Sequence, residues 1–67
     1  MAVARVTEIT SGSSKSFEDA VEKGIARASK TLAEIQGAWI ESQKVVVKEG
    51  KIKEYRVNMK VTFILKK

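Results

Sequence analysis

Few residues in this chain can do covalent chemistry. It contains no histidine and no cysteine, so the commonest general base and the thiolate nucleophile are both missing. No pair of carboxylates or Ser-Lys set with an orienting third group can be picked out. Catalysis is therefore not expected, and the same two counts leave nothing to hold a structural zinc. Calcium takes about six to eight oxygen ligands. The eight acidic residues form no loop with ligand spacing, so any ion site would have to be built across subunits. Ser11-Gly12-Ser13-Ser14 is a Gly-Ser loop ahead of a helix start, a place that can receive a phosphate. It lacks the Lys-Ser/Thr ending of a P-loop and the spaced glycines of a dinucleotide fingerprint, and is read as a strand-to-helix connector.

The charge points the same way. A net charge of +5 and a pI near 9.8 suit nucleic acid or a phosphate-bearing ligand. The Lys and Arg residues, however, are scattered among Glu and Asp from Arg5 to Lys67, and the densest run, Lys48 to Lys53, falls where a turn is expected. Only four aromatic residues are present, with no exposed pair on a strand to stack bases. A solvated surface accounts for most of the charge, and nucleic acid is not an expected partner.

The element that must organise the rest is a helix from Ser16 to Ile35. Phe17, Ala20, Val21, Gly24, Ile25, Ala28, Leu32 and Ile35 keep one stripe apolar, while Glu18, Glu22, Lys23, Arg27 and Lys30 face away. Ser16 followed by Asp19 marks its start, with Ser13 as a competing cap. Gly37 marks its end, as the residue type that closes a helix in the left-handed region. Ala20, Gly24 and Ala28 on the stripe allow close approach of another backbone, and a sheet is the natural cover.

Around this helix the period is two. Val3 to Thr10 reads as a first strand. Ala38 to Lys48 reads as a second, with Trp39, Glu41, Gln43, Val45 and Val47 on one face. Lys48-Glu49-Gly50-Lys51 reads as a tight turn with Gly50 at positive φ. Lys51 to Lys66 alternates almost perfectly, with Tyr55, Val57, Met59, Val61, Phe63 and Leu65 on one face and Glu54, Arg56, Asn58, Lys60 and Thr62 on the other. The predicted class is α+β: β-α-β-β, with a three-stranded antiparallel sheet wrapped on one long helix.

At 67 residues and 7.4 kDa this is one domain, 1–67, whose chain buries only about 60% of its unfolded surface. With no disulfide or zinc to supplement that core, self-association is expected. Hairpin arms of about 12 to 15 residues would reach roughly 40 to 50 Å, beyond a helix of about 30 Å, and the overhang calls for another copy of the chain. No apolar run of about 18 residues and no signal pattern is present, so a cytoplasmic protein is expected, without membrane contact.

In sequence the chain resembles the dodecins, small β-α-β-β proteins that assemble as hollow dodecamers and store flavins. The resemblance covers essentially the whole chain. It is carried by Val6-Thr7-Glu8-Ile9 and the Ser/Gly turn, Phe17-Glu18-Asp19-Ala20, Ile25-Ala26-Arg27-Ala28 with Thr31-Leu32, Gly50, and Tyr55-Arg56-Val57-Asn58-Met59-Lys60-Val61-Thr62-Phe63. It implies a homododecamer that binds and stores a small ligand, with riboflavin or FMN as the family's cofactor. Flavin-binding members carry a Trp just after the helix that stacks on the isoalloxazine and a Gln in the last strand that bonds its polar edge. Those positions are Gly37 and Arg56 here. Trp39, two residues on and displaced by roughly 7 Å, either stacks on a shifted planar ligand or fills a subunit contact. Arg56 either binds a carboxylate or phosphate or pairs with a Glu across an interface. Lys44, at a position often basic in the family, is a candidate contact for ligand phosphates. The two replacements look like the dodecin subgroup that does not retain flavin and is associated with calcium, which implies weak flavin binding or, alternatively, a flavin-free structural or calcium-associated shell.

Overall fold

The computed structural model describes residues 3–65. The expected end of the last strand at Lys66, and residues 1, 2, 66 and 67 of the expected domain, lie outside the described residues. Four elements follow in chain order: β1 (Val3–Ser13), α1 (Phe17–Ala28), β2 (Ile35–Lys48) and β3 (Lys51–Leu65). Both β1 and β2 run antiparallel to β3, which lies between them in the order β1-β3-β2. The β-α-β-β topology and the three-stranded antiparallel sheet are as the sequence pattern implies.

The helix starts where expected. Ser16 is the N-cap, in extended conformation, and its hydroxyl accepts from the Asp19 backbone N–H at 3.0 Å. Ser13, the competing cap, is buried instead at the end of β1. Its hydroxyl donates to Asp19 Oδ2 and accepts from Lys15 N at 2.9 Å. Lys23, one turn on, reaches Asp19 Oδ2 at 3.2 Å. The Ser13 hydroxyl first, and Lys23 next, hold the Asp19 carboxyl below its ordinary value of 3.8.

The helix ends earlier than its apolar stripe. It stops at Ala28 after 12 residues, not at Ile35. Ser29 Oγ caps the Ile25 carbonyl at 2.8 Å, and Thr31 N and Leu32 N both turn back onto the Ala28 carbonyl at 3.1 and 2.8 Å. Hydroxyl residues offer the last carbonyls a local alternative to further helix. Glu34 takes the left-handed conformation, φ 52°, that was assigned to Gly37. Its carbonyl accepts from Ile64 N at 3.1 Å, which hands Ile35 directly to the sheet. Gly37 therefore lies inside β2 and closes nothing. β1 likewise outruns its expected end at Thr10, because Ser11, Gly12 and Ser13 pair with Val57, Arg56 and Tyr55.

The hairpin turn has positive φ at both central residues, Glu49 at 54° and Gly50 at 77°. That is the turn whose twist matches two right-twisted strands.

One face of β3 supplies the core. Val57, Met59 and Val61 are buried with Ala20 from the helix, and Ile9, Phe17, Val21, Ile25 and Ile35 pack around them. Phe17 meets Tyr55 edge to face, with ring centroids 5.2 Å apart. The helix approaches so closely that a Cβ on Gly24 would lie 2.6 Å from Met59 Cε and 2.9 Å from Ser11 Cβ. A 12-residue helix is about 18 Å long, whereas the molecule extends over 51 Å. α1 packs on β1 and β3, and β2 is exposed along nearly its whole length.

Two expectations follow from this packing. Gly24→Leu gains about 1 kcal/mol of helix propensity but drives a side chain into Met59 and Ser11, where overpacking costs about 1 to 3 kcal/mol or more, so its melting temperature falls below wild type. The lowered Asp19 pKa gives stability that is present above about pH 4 and lost as pH falls through the folded-state value. Ser13→Ala, which removes the largest cause of the shift, flattens the acid limb of a stability profile measured by denaturant titration.

Candidate functional site

The site residues are positioned by β3 and by the register slips of β2 against it, of which the one at Glu41 lies between the candidates. In antiparallel pairing, directly opposed residues share a face. Val57, Met59 and Val61 face the helix, so Arg56, Asn58, Lys60 and Thr62 face the other way. Trp39 opposes Lys60 and Ile40 opposes Met59, but the next pairs are Ser42 with Asn58, Gln43 with Val57 and Lys44 with Arg56. The register slips at Glu41, a bulge that inserts one extra β2 residue where β3 has none. The bulge breaks the alternation expected along Ala38 to Lys48. Gln43 and Val45 lie on the helix side of the sheet, whereas Trp39 lies on the outer side, and the five residues assigned to one face do not share it.

The same slip brings the candidates together. Gly37, opposite Thr62, and Trp39, opposite Lys60, are four and two residues before the bulge. Lys44, opposite Arg56, is three residues after it. Unbroken alternation would set Lys44 on the face away from Gly37 and Trp39. With the bulge, all four of Gly37, Trp39, Lys44 and Arg56 lie on the outer, helix-free face.

They form two pairs on that face. Gly37 and Trp39 line a shallow hollow of about 280 Å³ with Ala38 and Thr62. Lys44 and Arg56 line another of about 270 Å³ with Thr10, Ser42, Val57 and Asn58. Four residues of β3 separate Lys60 from Arg56, about 13 Å, so one subunit does not place Trp39 and Arg56 on the same small ring. A larger hollow of about 450 Å³, between α1 and β1, contains none of the four.

The groove residues carry defined partners. Arg56 Nε donates to Glu54 Oε1 two residues away on the same strand, which makes its ion pair internal to the strand and not, within this chain, across an interface. Such an exposed pair is worth about 0 to 1 kcal/mol, so an incoming anion can displace Glu54. Asn58 links Thr10 Oγ1 at 3.1 Å to Glu8 Oε2 at 2.7 Å, and Glu41 pairs with Lys60 at 3.5 Å. Sequence alternation placed Asn58, Lys60 and Thr62 beside Arg56; their partners on β1 and in the bulge could not be read from it. At the helix N-terminus the Ser16 hydroxyl takes the Asp19 N–H, and the Asp19 carboxylate, bonded to Ser13 and Lys23, adds a negative charge that disfavours a phosphate there. Among the described residues no three acidic side chains come together to hold a metal ion, and no helix is long and apolar enough to cross a membrane.

A family model described as Dodecin matches residues 3–66. The dodecin from Streptomyces davaonensis is 32% identical over 98% of this chain and 97% of its own, with a TM-score of 0.95. A dodecin variant from T. thermophilus is 28% identical over 100% of both chains, also with a TM-score of 0.95. The calcium-chelating immunodominant antigen from Mycobacterium tuberculosis, a calcium dodecin with a novel calcium-binding site, is 31% identical over 96% of this chain and 91% of its own, with a TM-score of 0.84. No curated protein sequence matches the chain.

Lys44 and Arg56 are like charges directly opposed across two strands, an arrangement that costs stability. Lys44→Glu is expected to raise stability by about 0.2 to 1 kcal/mol, measured as a shift in the denaturation midpoint. The gain should shrink as salt screens the pair.

Proposed function

The chain belongs to the dodecin family, and from that premise we propose that residues 1–67 form one subunit of a cytoplasmic homododecamer that binds and stores a small ligand, is not an enzyme, and takes riboflavin or FMN weakly. The observation that carries this reading is the common placement of Gly37, Trp39, Lys44 and Arg56 on a sheet face that no described element covers.

Self-association has independent support. The accessible surface is 5125 Å², against about 4,200 Å² for a compact monomer of 7.4 kDa. The excess of about 900 Å² is close to the roughly 800 Å² each partner loses in a standard interface. Val45, Val47 and Ile52 are exposed toward the hairpin end, and Ile40 along β2, where a neighbouring subunit would cover them.

Weak flavin binding rests on the two replaced residues. A stacked aromatic is worth about 1 kcal/mol beyond area burial and a matched hydrogen bond about 1 more. Losing both lowers affinity by roughly 30-fold. A guanidinium at position 56 donates to a ring carbonyl but cannot accept from a ring N–H, so it replaces at most half of what a Gln offers. Lys44 and Arg56 would instead favour an anionic tail, through charge-assisted bonds to phosphate. The alternative, a flavin-free or calcium-associated shell, is favoured by the likeness to calcium dodecin. It needs carboxylates from several subunits to meet in one site.

Light scattering under native conditions should return a mass near twelve times 7.4 kDa; a monomer mass would end the assembly reading. Titration of riboflavin fluorescence against the same sample should show saturable but weak quenching. Tight binding would refute the weak-flavin reading, and calcium uptake by calorimetry with no quenching would favour the shell.

A further inference from the structure

Gly12 lies in β1 directly opposite Arg56, so the space its missing side chain leaves opens on the outer face. One residue fills that space. A Cβ built on Gly12 would stand 2.6 Å from Glu54 Oε2 and 2.9 Å from Glu54 Cδ, and the next nearest atom is Glu54 Cγ at 3.4 Å. Glu54 thus leans across to β1 and seats its carboxylate over Gly12, a close approach that only glycine allows. From that seat Glu54 Oε1 accepts from Arg56 Nε. A guanidinium binds carboxylate or phosphate through parallel pairs of N–H bonds, along its Nε side or across its end, and Glu54 holds the Nε side. Arg56 borders two hollows, one of about 270 Å³ with Lys44 and one of about 430 Å³ with Glu54, Lys48 and Lys53. Lys44, opposite Arg56, has no acidic partner among the described residues. The one carboxylate touching this cationic pair is therefore the chain's own, held by shape as well as charge.

We infer that Glu54, seated over Gly12, is a built-in competitor for anionic groups at Lys44 and Arg56, and that it sets the preference of this face between neutral and phosphate-bearing ligands. This inference rests on the ligand-binding reading above and deepens it by naming the residue that tunes it. An entering phosphate must take the Nε side of Arg56 from Glu54 and stand beside its negative charge. A neutral ligand meets neither obstacle. Once displaced, the Glu54 carboxylate has the ammonium groups of Lys48 and Lys53 within the hollow it already lines, so the exchange leaves no charge bare. The Arg56 and Glu54 side chains are 46% and 34% exposed, and a pair so open to water exchanges readily. Glu54 therefore weakens anion binding without blocking it.

The probes are FMN, neutral riboflavin and inorganic pyrophosphate, the last followed by the rise it causes in melting temperature. They are titrated against wild type, Glu54→Gln, Gly12→Ala and the double variant, with assembly mass measured alongside. Gly12→Ala keeps the net charge and meets only the flexible Glu54 side chain, so it unseats the carboxylate without removing it. Each single variant is expected to bind FMN and pyrophosphate about three- to fivefold more tightly than wild type, with riboflavin within about twofold. The double variant should gain no more than the better single one, because both changes remove the same contact. Unchanged FMN and pyrophosphate affinity in Glu54→Gln overturns the competition while riboflavin quenching leaves the ligand reading intact. An equal gain for riboflavin, or gains that multiply in the double variant, also overturns it. If wild type binds neither flavin yet Glu54→Gln and Gly12→Ala both tighten pyrophosphate, the flavin reading fails and the competition stands.

Discussion

Everything in this molecule depends on β3 being paired along both edges. Its 15 residues carry β1 on one side and β2 on the other, so its helix-facing residues Val57, Met59 and Val61 are the ones buried from all directions. A central strand has no unsatisfied backbone edge, and its alternation decides which face every neighbour must present. The helix adds little length but closes the core at one place. There Gly24 lets it settle onto Met59 and Ser11.

The shortness of that helix explains the shape of the surface. Three turns cover the part of the sheet made by β1 and β3 and leave β2 bare, with Trp39, Ile40, Val45 and Val47 exposed. Among the described residues no further element is left to cover it. Its apolar surplus stays exposed on the single chain, in keeping with the marginal burial available at this size.

The bulge at Glu41 links fold to site. One extra residue inverts the facing of Gly37 to Ile40 in β2, so that Trp39 and Gly37 join Lys44 and Arg56 on the outer face. It also supplies the carboxylate that holds Lys60 beside Trp39. The outer face is thereby divided into an apolar part around Gly37, Trp39 and Thr62 and a cationic part around Lys44 and Arg56, about 13 Å apart along β3.

Local chemistry was legible from residues alone. The Ser16 cap, the alternation of Tyr55 to Leu65, the Gly50 turn and the stripe through Ala20, Gly24 and Ala28 depend on neighbours within a few positions, and the resemblance to dodecins supplied Gly37, Trp39, Lys44 and Arg56 as site positions. What depended on distant partners was not legible. The apolar stripe ran on to Ile35, but the Ile64 N–H claims the Glu34 carbonyl and ends the helical region sooner. Ser11 to Ser13 looked like a turn until Tyr55, Arg56 and Val57 paired with them. The face of Trp39 followed from a register slip set by pairing with β3, because a period of two carries no mark of where one residue has been skipped.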